Sequence, residues 1–214
     1  MRRYILTGTP GSGKTSILRS LQARGHDVVE EAATAVIAAQ QARGVAEPWQ
    51  DPAFIDAIVD MQRHKQRQRE QEQERQRQQL EEKGSSAIEI YDRSPVCTHA
   101  LSIHMGYPIS AALTAELDRI QREQTYQRHV LFIDNLGFCE PTAARRITFE
   151  DSLEFERHHE ESYRELGFDL IHIPAADVET RADLIERTVA DLTDRDPNRP
   201  TLDVPPQHTY RENQ

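Results

Sequence analysis

The segment Gly8-Thr9-Pro10-Gly11-Ser12-Gly13-Lys14-Thr15 satisfies the pattern G-x-x-x-x-G-K-[ST] at every constrained position. This pattern constrains the fold first, because it works only between a buried strand and the start of a helix. Both neighbours are present. Arg3 to Thr7 is short and apolar enough to read as a buried strand, and Ser16 to Leu21 carries Ile17, Leu18 and Leu21 as the first turns of a helix. A polyphosphate needs many donors at close range, so such a loop turns its backbone N–H groups inward as a nest. Side chains would block the approach, which accounts for glycine at 8, 11 and 13. The helix start adds its positive dipole end. Lys14 is placed to reach the outer phosphates and the Thr15 hydroxyl to ligate Mg²⁺. The expected ligand is ATP with Mg²⁺, held by Gly8, Pro10, Gly11, Ser12, Gly13, Lys14, Thr15 and Ser16.

At 214 residues the chain suits one α/β domain with a full core. A net charge of −10 argues against general nucleic-acid affinity, since phosphate neutralisation needs the opposite sign. Cys97 and Cys139 are the only cysteines, and neither a disulfide framework nor a zinc pattern can be built from them. No run of 18 apolar residues suggests a membrane span, and the N-terminus leads straight into a strand, so a cytoplasmic location is expected.

Along the chain, strands and helices alternate. Asp27 to Val29 reads as a second strand and ends in Glu30-Glu31. A helix follows over Ala32 to Ala42, and then a loop from Gly44 to Pro52. Asp51-Pro52 starts another helix with a cap and a proline at its first position. Its apolar face is Phe54, Ile55, Ile58, Val59 and Met61. From Gln62 to Gln79 no apolar residue occurs. A helix polar all round has nothing to dock on a core, so this stretch, continuing to about residue 83, is expected to protrude into solvent. Alternatively its arginines cover a phosphate-rich ligand, with Arg63 and Arg67 nearest its root, or it is partly frayed, or it meets a protein partner or a second copy. Ala87 to Tyr91 is a third strand, and helices run to Tyr107 and from Ser110 to Gln124. His129 to Ile133 is the fourth strand. Gly137 to Thr148, with Arg145 and Arg146, reads as a lid. A helix from Phe149 to Leu166, a fifth strand from Phe168 to Ile173 and a last helix from Val178 to Leu192 complete the body. From residue 194 the composition reads as an extended or disordered tail. The pattern predicts a three-layer α/β/α fold around a five-stranded parallel sheet.

In such sheets ligands sit outside the carboxyl ends of the strands. Four polar clusters fall there: the glycine loop, Glu30-Glu31, Asp92-Arg93 and Asp134. For a Mg²⁺-supporting aspartate, Asp134 follows the more uniformly apolar strand, while Asp92 follows one interrupted by Glu89. Arg93, Arg145 and Arg146 are candidates to stabilise charge on a transferring phosphoryl group. His158 and His159 are adjacent on a helix and so do not face one site together.

These segments resemble the P-loop kinase group. The carriers are the loop through Lys14-Thr15, a strand ending Val29-Glu30-Glu31-Ala32-Ala33, and a strand ending Asp92-Arg93-Ser94. More closely the chain resembles the AAA-domain family that includes the ribosylnicotinamide kinase domain. That family has a late helix end like Tyr163-Arg164-Glu165-Leu166-Gly167. The resemblance covers roughly residues 3–192 and implies the P-loop NTPase fold. It also implies Glu31 as the base or acceptor anchor and Asp92 over Asp134 for Mg²⁺. Thr34 stands where the family often has arginine, so the acceptor can differ. The expectation is a kinase that moves the ATP γ-phosphoryl group to a small nucleoside-like hydroxyl compound; the alternative is an ATPase or nucleotide switch acting on a protein.

Overall fold

The computed structural model describes residues 1–79, 88–138 and 148–194. The described strands, β1 (Arg2–Gly8), β2 (Asp27–Val29), β3 (Ile88–Asp92), β4 (His129–Ile133) and β5 (Asp169–Ile173), form one sheet in the order β2-β3-β1-β4-β5. Every pairing is parallel, with Leu6 opposite Asp92 on one side and Gly8 opposite Ile133 on the other. The helices are α1 (Lys14–Ala23), α2 (Ala32–Gln41), α3 (Ala53–Gln79), α4 (Pro95–His104), α5 (Ala111–Arg122), α6 (Phe149–Glu165) and α7 (Val178–Asp194), with a 3₁₀ turn at Pro48–Gln50.

Successive strand residues point to opposite faces, and the core divides accordingly. Tyr4, Leu6, Ile90, Leu131 and Ile133 pack with Ile17 and Leu21 of α1 and Ile185 and Val189 of α7. Ile5, Tyr91 and Val130 face the other way, toward Ile55 and Val59 of α3, Val96 of α4, Leu113 and Leu117 of α5, and Tyr163 of α6. Three layers result, as the alternation of elements predicts. The helix starts are set locally. Ser94 accepts from the Val96 N–H with Pro95 at the first position, Ser110 accepts from the Leu113 N–H, and Thr148 and Asp151 form a capping box. A third cluster stands beyond the sheet, where Ala32 and Val36 of α2 meet Phe54 and Ile58 of α3, with Trp49 and Leu101 against it.

The polar half of α3 departs from the sequence expectation. Most of its described side chains are exposed, as expected, but one face lies against the domain. Gln66 is buried, and Gln62, Arg69 and Gln73 extend the same face at helical spacing. What receives them is charge. Glu89, fully buried in β3, accepts from Arg3 Nε at 3.3 Å, Arg69 Nε at 2.9 Å, Gln73 Nε2 at 2.6 Å and the Tyr91 hydroxyl at 3.3 Å. Glu116, also buried, holds Arg63 at 3.2 Å and Arg119 at 2.8 Å. Arg69 further pairs with Asp27 at 2.9 Å, so the helix covers the short edge strand β2. A buried carboxylate demands several donors, and the arginine- and glutamine-rich face supplies them. The side chains of residues 76–79, the stretches 80–87 and 139–147 and the tail from 195 lie outside the described residues.

Candidate active site

The strand order places β3 and β4 on either side of β1, so the crevice opens at the carboxyl ends of β1 and β3. The phosphate loop closes one side of it. Gly8, at φ 139°, lies so close to β4 that a Cβ would come within 2.3 Å of the Ile133 carbonyl oxygen. Here glycine is required by the sheet as well as by any ligand. Helix α1 begins at Lys14 with no side-chain cap and no acid in its first turn, leaving its N-terminal N–H groups for an anion. Lys14 lies within the loop, its Nζ donating to the carbonyls of Gly8 at 2.7 Å and Thr9 at 2.6 Å. Burial first, and Arg93 second, draw its pKa down to about 7. Ser12 is buried and donates to the Thr9 carbonyl, while Thr15 and Ser16 are exposed at the helix start. Glu156 of α6 braces the loop from outside, accepting from the Thr9 hydroxyl at 3.2 Å and from Asn135.

Opposite the loop, Arg93 organises the charged end of the crevice. It adopts φ 70°, a left-handed conformation rare for a side chain of this size. Its N–H continues the β1 register by donating to Leu6, and the turn sends the guanidinium back into the cleft. There Nε stands 2.7 Å from Glu31 Oε1, without the N–H aligned on that oxygen. Nη1 meets His159 Nε2 at 2.9 Å, and the Phe155 ring lies 6.0 Å from the guanidinium carbon. An arginine can only donate, so His159 accepts at Nε2 and gives its Nδ1 proton to the Phe155 carbonyl 2.8 Å away. Burial, then Arg93, holds His159 well below its usual pKa, as a neutral ring. Burial opposes the charge on Arg93, but Glu31, together with Cys97, Asp92 and Tyr163, outweighs it and raises the pKa. Strain of this kind, over-determined by its surroundings, is characteristic of working sites.

The two carboxylates differ. Burial disfavours the Glu31 anion, yet Arg93 and the Thr34 hydroxyl, 2.7 Å from Oε2, outweigh it and hold the pKa below normal. Asp92 is pushed up to about 6, by burial first and by the Glu31 charge second. Its Oδ1 is buried without a hydrogen-bond partner. Asp134, in contrast, is engaged with His172 Nδ1 at 2.7 Å and lies outside the cavity wall.

Lys14, Thr15, Glu31, Asp92 and Arg93 share one cavity of about 560 Å³. Its farther walls are apolar: Ile37, Trp49, Phe54, Ile58, Leu101 and Phe155. Thr34, His104 and Asp151 also line it, and two polar groups meet among the apolar walls. Thr98 Oγ1 donates to Gln62 Oε1 at 3.2 Å, which leaves the Gln62 amide N–H groups to donate into the chamber. Arg63 and Arg67 do not line it; Arg63 belongs to Glu116, and Arg67 Nε donates to the Arg63 carbonyl. Arg145 and Arg146, with most of the expected lid, lie outside the described residues. Sequence reasoning missed Gln62, Trp49, Thr98, Phe155 and the role of His159. A signal existed for some: Phe54, Ile58 and Gln62 recur every fourth residue, as do Phe155 and His159.

The AAA domain model matches residues 3–181. The chain belongs to the AAA domain family. No curated protein matches the sequence. Among solved structures, this AAA-domain chain is similar to the deoxyadenosine kinase from M. mycoides with bound dCTP. The TM-score is 0.52 and the identity 15%, over 89% of this chain and 100% of that one. The same kinase with products dCMP and a flexible dCDP matches at TM-score 0.47 and 15% identity, over 88% and 99%. A likeness at this identity shows the fold alone, an α/β P-loop kinase-like one. No described helix is long and apolar enough to cross a membrane.

Proposed function

We propose that this AAA-domain protein is an ATP-dependent kinase that transfers the γ-phosphoryl group to a hydroxyl of a small nucleoside-like molecule. The observation that carries the reading is the cavity itself. A phosphate loop alone serves any nucleotide switch, but here it opens into an aromatic chamber with room for a second substrate. Trp49, Phe54 and Phe155 suit a flat ring, and the Gln62 amide suits a hydrogen-bond acceptor on that ring's edge. Glu31 stands where chamber and loop meet.

In this mechanism the acceptor oxygen attacks the γ-phosphorus as the β–γ bridging P–O bond breaks, and ADP leaves. The ionised Glu31 accepts a hydrogen bond from the acceptor hydroxyl, orients it, and takes its proton as the new P–O bond forms. Arg93 keeps Glu31 charged and rigid; neutral His159 keeps Arg93 aimed without adding a competing charge. Lys14 exchanges its loop carbonyls for phosphate oxygens. Thr15 and Asp92 are the residues that would hold Mg²⁺. An exposed hydroxyl and a buried carboxylate oxygen lacking a partner fit an ion that keeps most of its ligands as water and phosphate. Among the described residues no group of three or more His, Cys, Asp or Glu could hold a metal by itself. The ion, when bound, neutralises charge on the phosphates.

The test is ADP release from Mg·ATP across a panel of nucleosides and other hydroxyl compounds. A stimulating acceptor should appear, and Glu31→Gln should cut its phosphorylation by about 10²–10⁴ with ATP affinity near normal. A flat panel with Glu31→Gln inert would remove the kinase reading and leave the nucleotide-switch alternative.

A further inference from the structure

Arg181 lies in the first turn of α7, behind the phosphate loop, and is only 2% exposed. Its Nη1 donates to the Ser12 carbonyl at 2.7 Å, and its Nε is buried with no hydrogen-bond partner. It crowds the loop so closely that a Cβ on Gly13 would come within 2.7 Å of Nη2. Gly13 itself stands at φ 86°, the left-handed backbone that favours glycine.

This cation has no ion pair among the described residues. Asp177, one turn earlier, is exposed and spends both oxygens on Thr180, at 2.9 Å to its N–H and 2.6 Å to its hydroxyl. Glu179, Asp183 and Glu186 of α7 all face Arg24, at 2.5, 2.6 and 2.7 Å. A guanidinium kept out of water with one neutral acceptor is a costly arrangement. Burial accordingly draws the Arg181 pKa down, opposed only by Asp177.

The peptide linking Ser12 and Gly13 is trans, like every described peptide bond. In a trans peptide the C=O and N–H point in opposite directions. Fastening the Ser12 carbonyl to Arg181 therefore directs the Gly13 N–H away from it. That N–H makes no hydrogen bond among the described residues.

We propose that Arg181 is a positioning residue for nucleotide phosphates: it grips the Ser12 carbonyl so that the Gly13 N–H is presented to them, and their negative charge compensates its buried cation. The inference rests on nucleotide binding by the loop and is independent of phosphoryl transfer. The effect passes through the loop and through the field, so it should scale with phosphate charge.

The experiment titrates ATP, ADP and AMP, each with Mg²⁺, into the wild type, Arg181→Gln and Arg181→Lys, and records nucleotide-free melting. Arg181→Gln should weaken ATP about tenfold or more, as expected for loss of a charge-assisted interaction, with a smaller loss for ADP and the smallest for AMP. Arg181→Lys, which keeps the charge but not the fork, should recover part of the ATP affinity. Nucleotide-free Arg181→Gln should melt no lower than the wild type, because a costly buried charge has gone. An ATP affinity within about twofold of wild type, or equal losses for ATP and AMP, would overturn the inference. So would an Arg181→Gln variant that melts lower or fails to fold, since Arg181 would then be a structural strut. A wild type that binds neither ATP nor ADP would overturn the nucleotide reading beneath it. Binding without transfer to any acceptor would sink only the kinase reading.

Discussion

Asp92 should weaken the fold it belongs to. Its pKa stands at about 6, against an ordinary 3.8, because burial and the neighbouring Glu31 charge both resist its ionisation. The native state therefore holds a proton between those values that the unfolded chain has already released. Stability attributable to this group falls as pH rises through that window, and above about pH 6 the full cost is present. A gap of about two pH units at about 1.4 kcal/mol each corresponds to roughly 3 kcal/mol. Asn cannot ionise, but it keeps a buried polar end worth about 1 kcal/mol if unpaired. Asp92→Asn should consequently stabilise the nucleotide-free protein by about 2 kcal/mol at pH 7.5, a rise in melting temperature of roughly 4–8 °C. The assay is urea denaturation of variant and wild type in parallel from pH 4 to 8, so that other titrating groups cancel. The stability gap should close toward pH 4. The same variant should lose Mg²⁺-dependent turnover, with partial recovery at high Mg²⁺. A variant less stable than wild type at pH 7.5, or a gap indifferent to pH, would refute the reasoning.

Lys14→Ala should weaken ATP binding or abolish turnover while the fold persists, because Nζ bonds only to the loop's own carbonyls and hydroxyl; unchanged ATP affinity and turnover, by titration and ADP release, would count against the site. Glu89→Ala should destabilise the protein by about 3–5 kcal/mol, the usual cost of breaking a buried ion pair, and should speed tryptic cleavage within residues 62–79. Unaltered denaturation and proteolysis would show that this carboxylate does not hold α3.

Much of the site was legible because it is local. The phosphate loop is eight consecutive residues whose chemistry demands the key identities among them, and strand–loop–helix order follows from the short run Tyr4-Ile5-Leu6 and one helical periodicity. The alternation of such runs was enough for the parallel sheet and its layers, since a strand buried on both faces can hardly be anything else. The left-handed Arg93 was not legible. Nothing in Asp-Arg-Ser announces a φ of 70°, which is imposed by hydrogen bonding to β1 and by Glu31 and His159, distant in sequence. Nor was the docking of α3. Hydrophobic pattern finds faces that bury apolar surface, and this face is held by carboxylates buried in β3 and α5. Glu89 looked like a blemish in a strand until its four donors were placed around it. By itself, the sequence determined that a phosphate loop lies at the end of a parallel sheet, because that depends on neighbours along the chain. Only the tertiary structure decided which aspartate shares the cavity, what walls the chamber and what stands behind the loop. Those depend on which helix faces meet across the sheet, and charge desolvation and close packing act between residues that the chain keeps far apart.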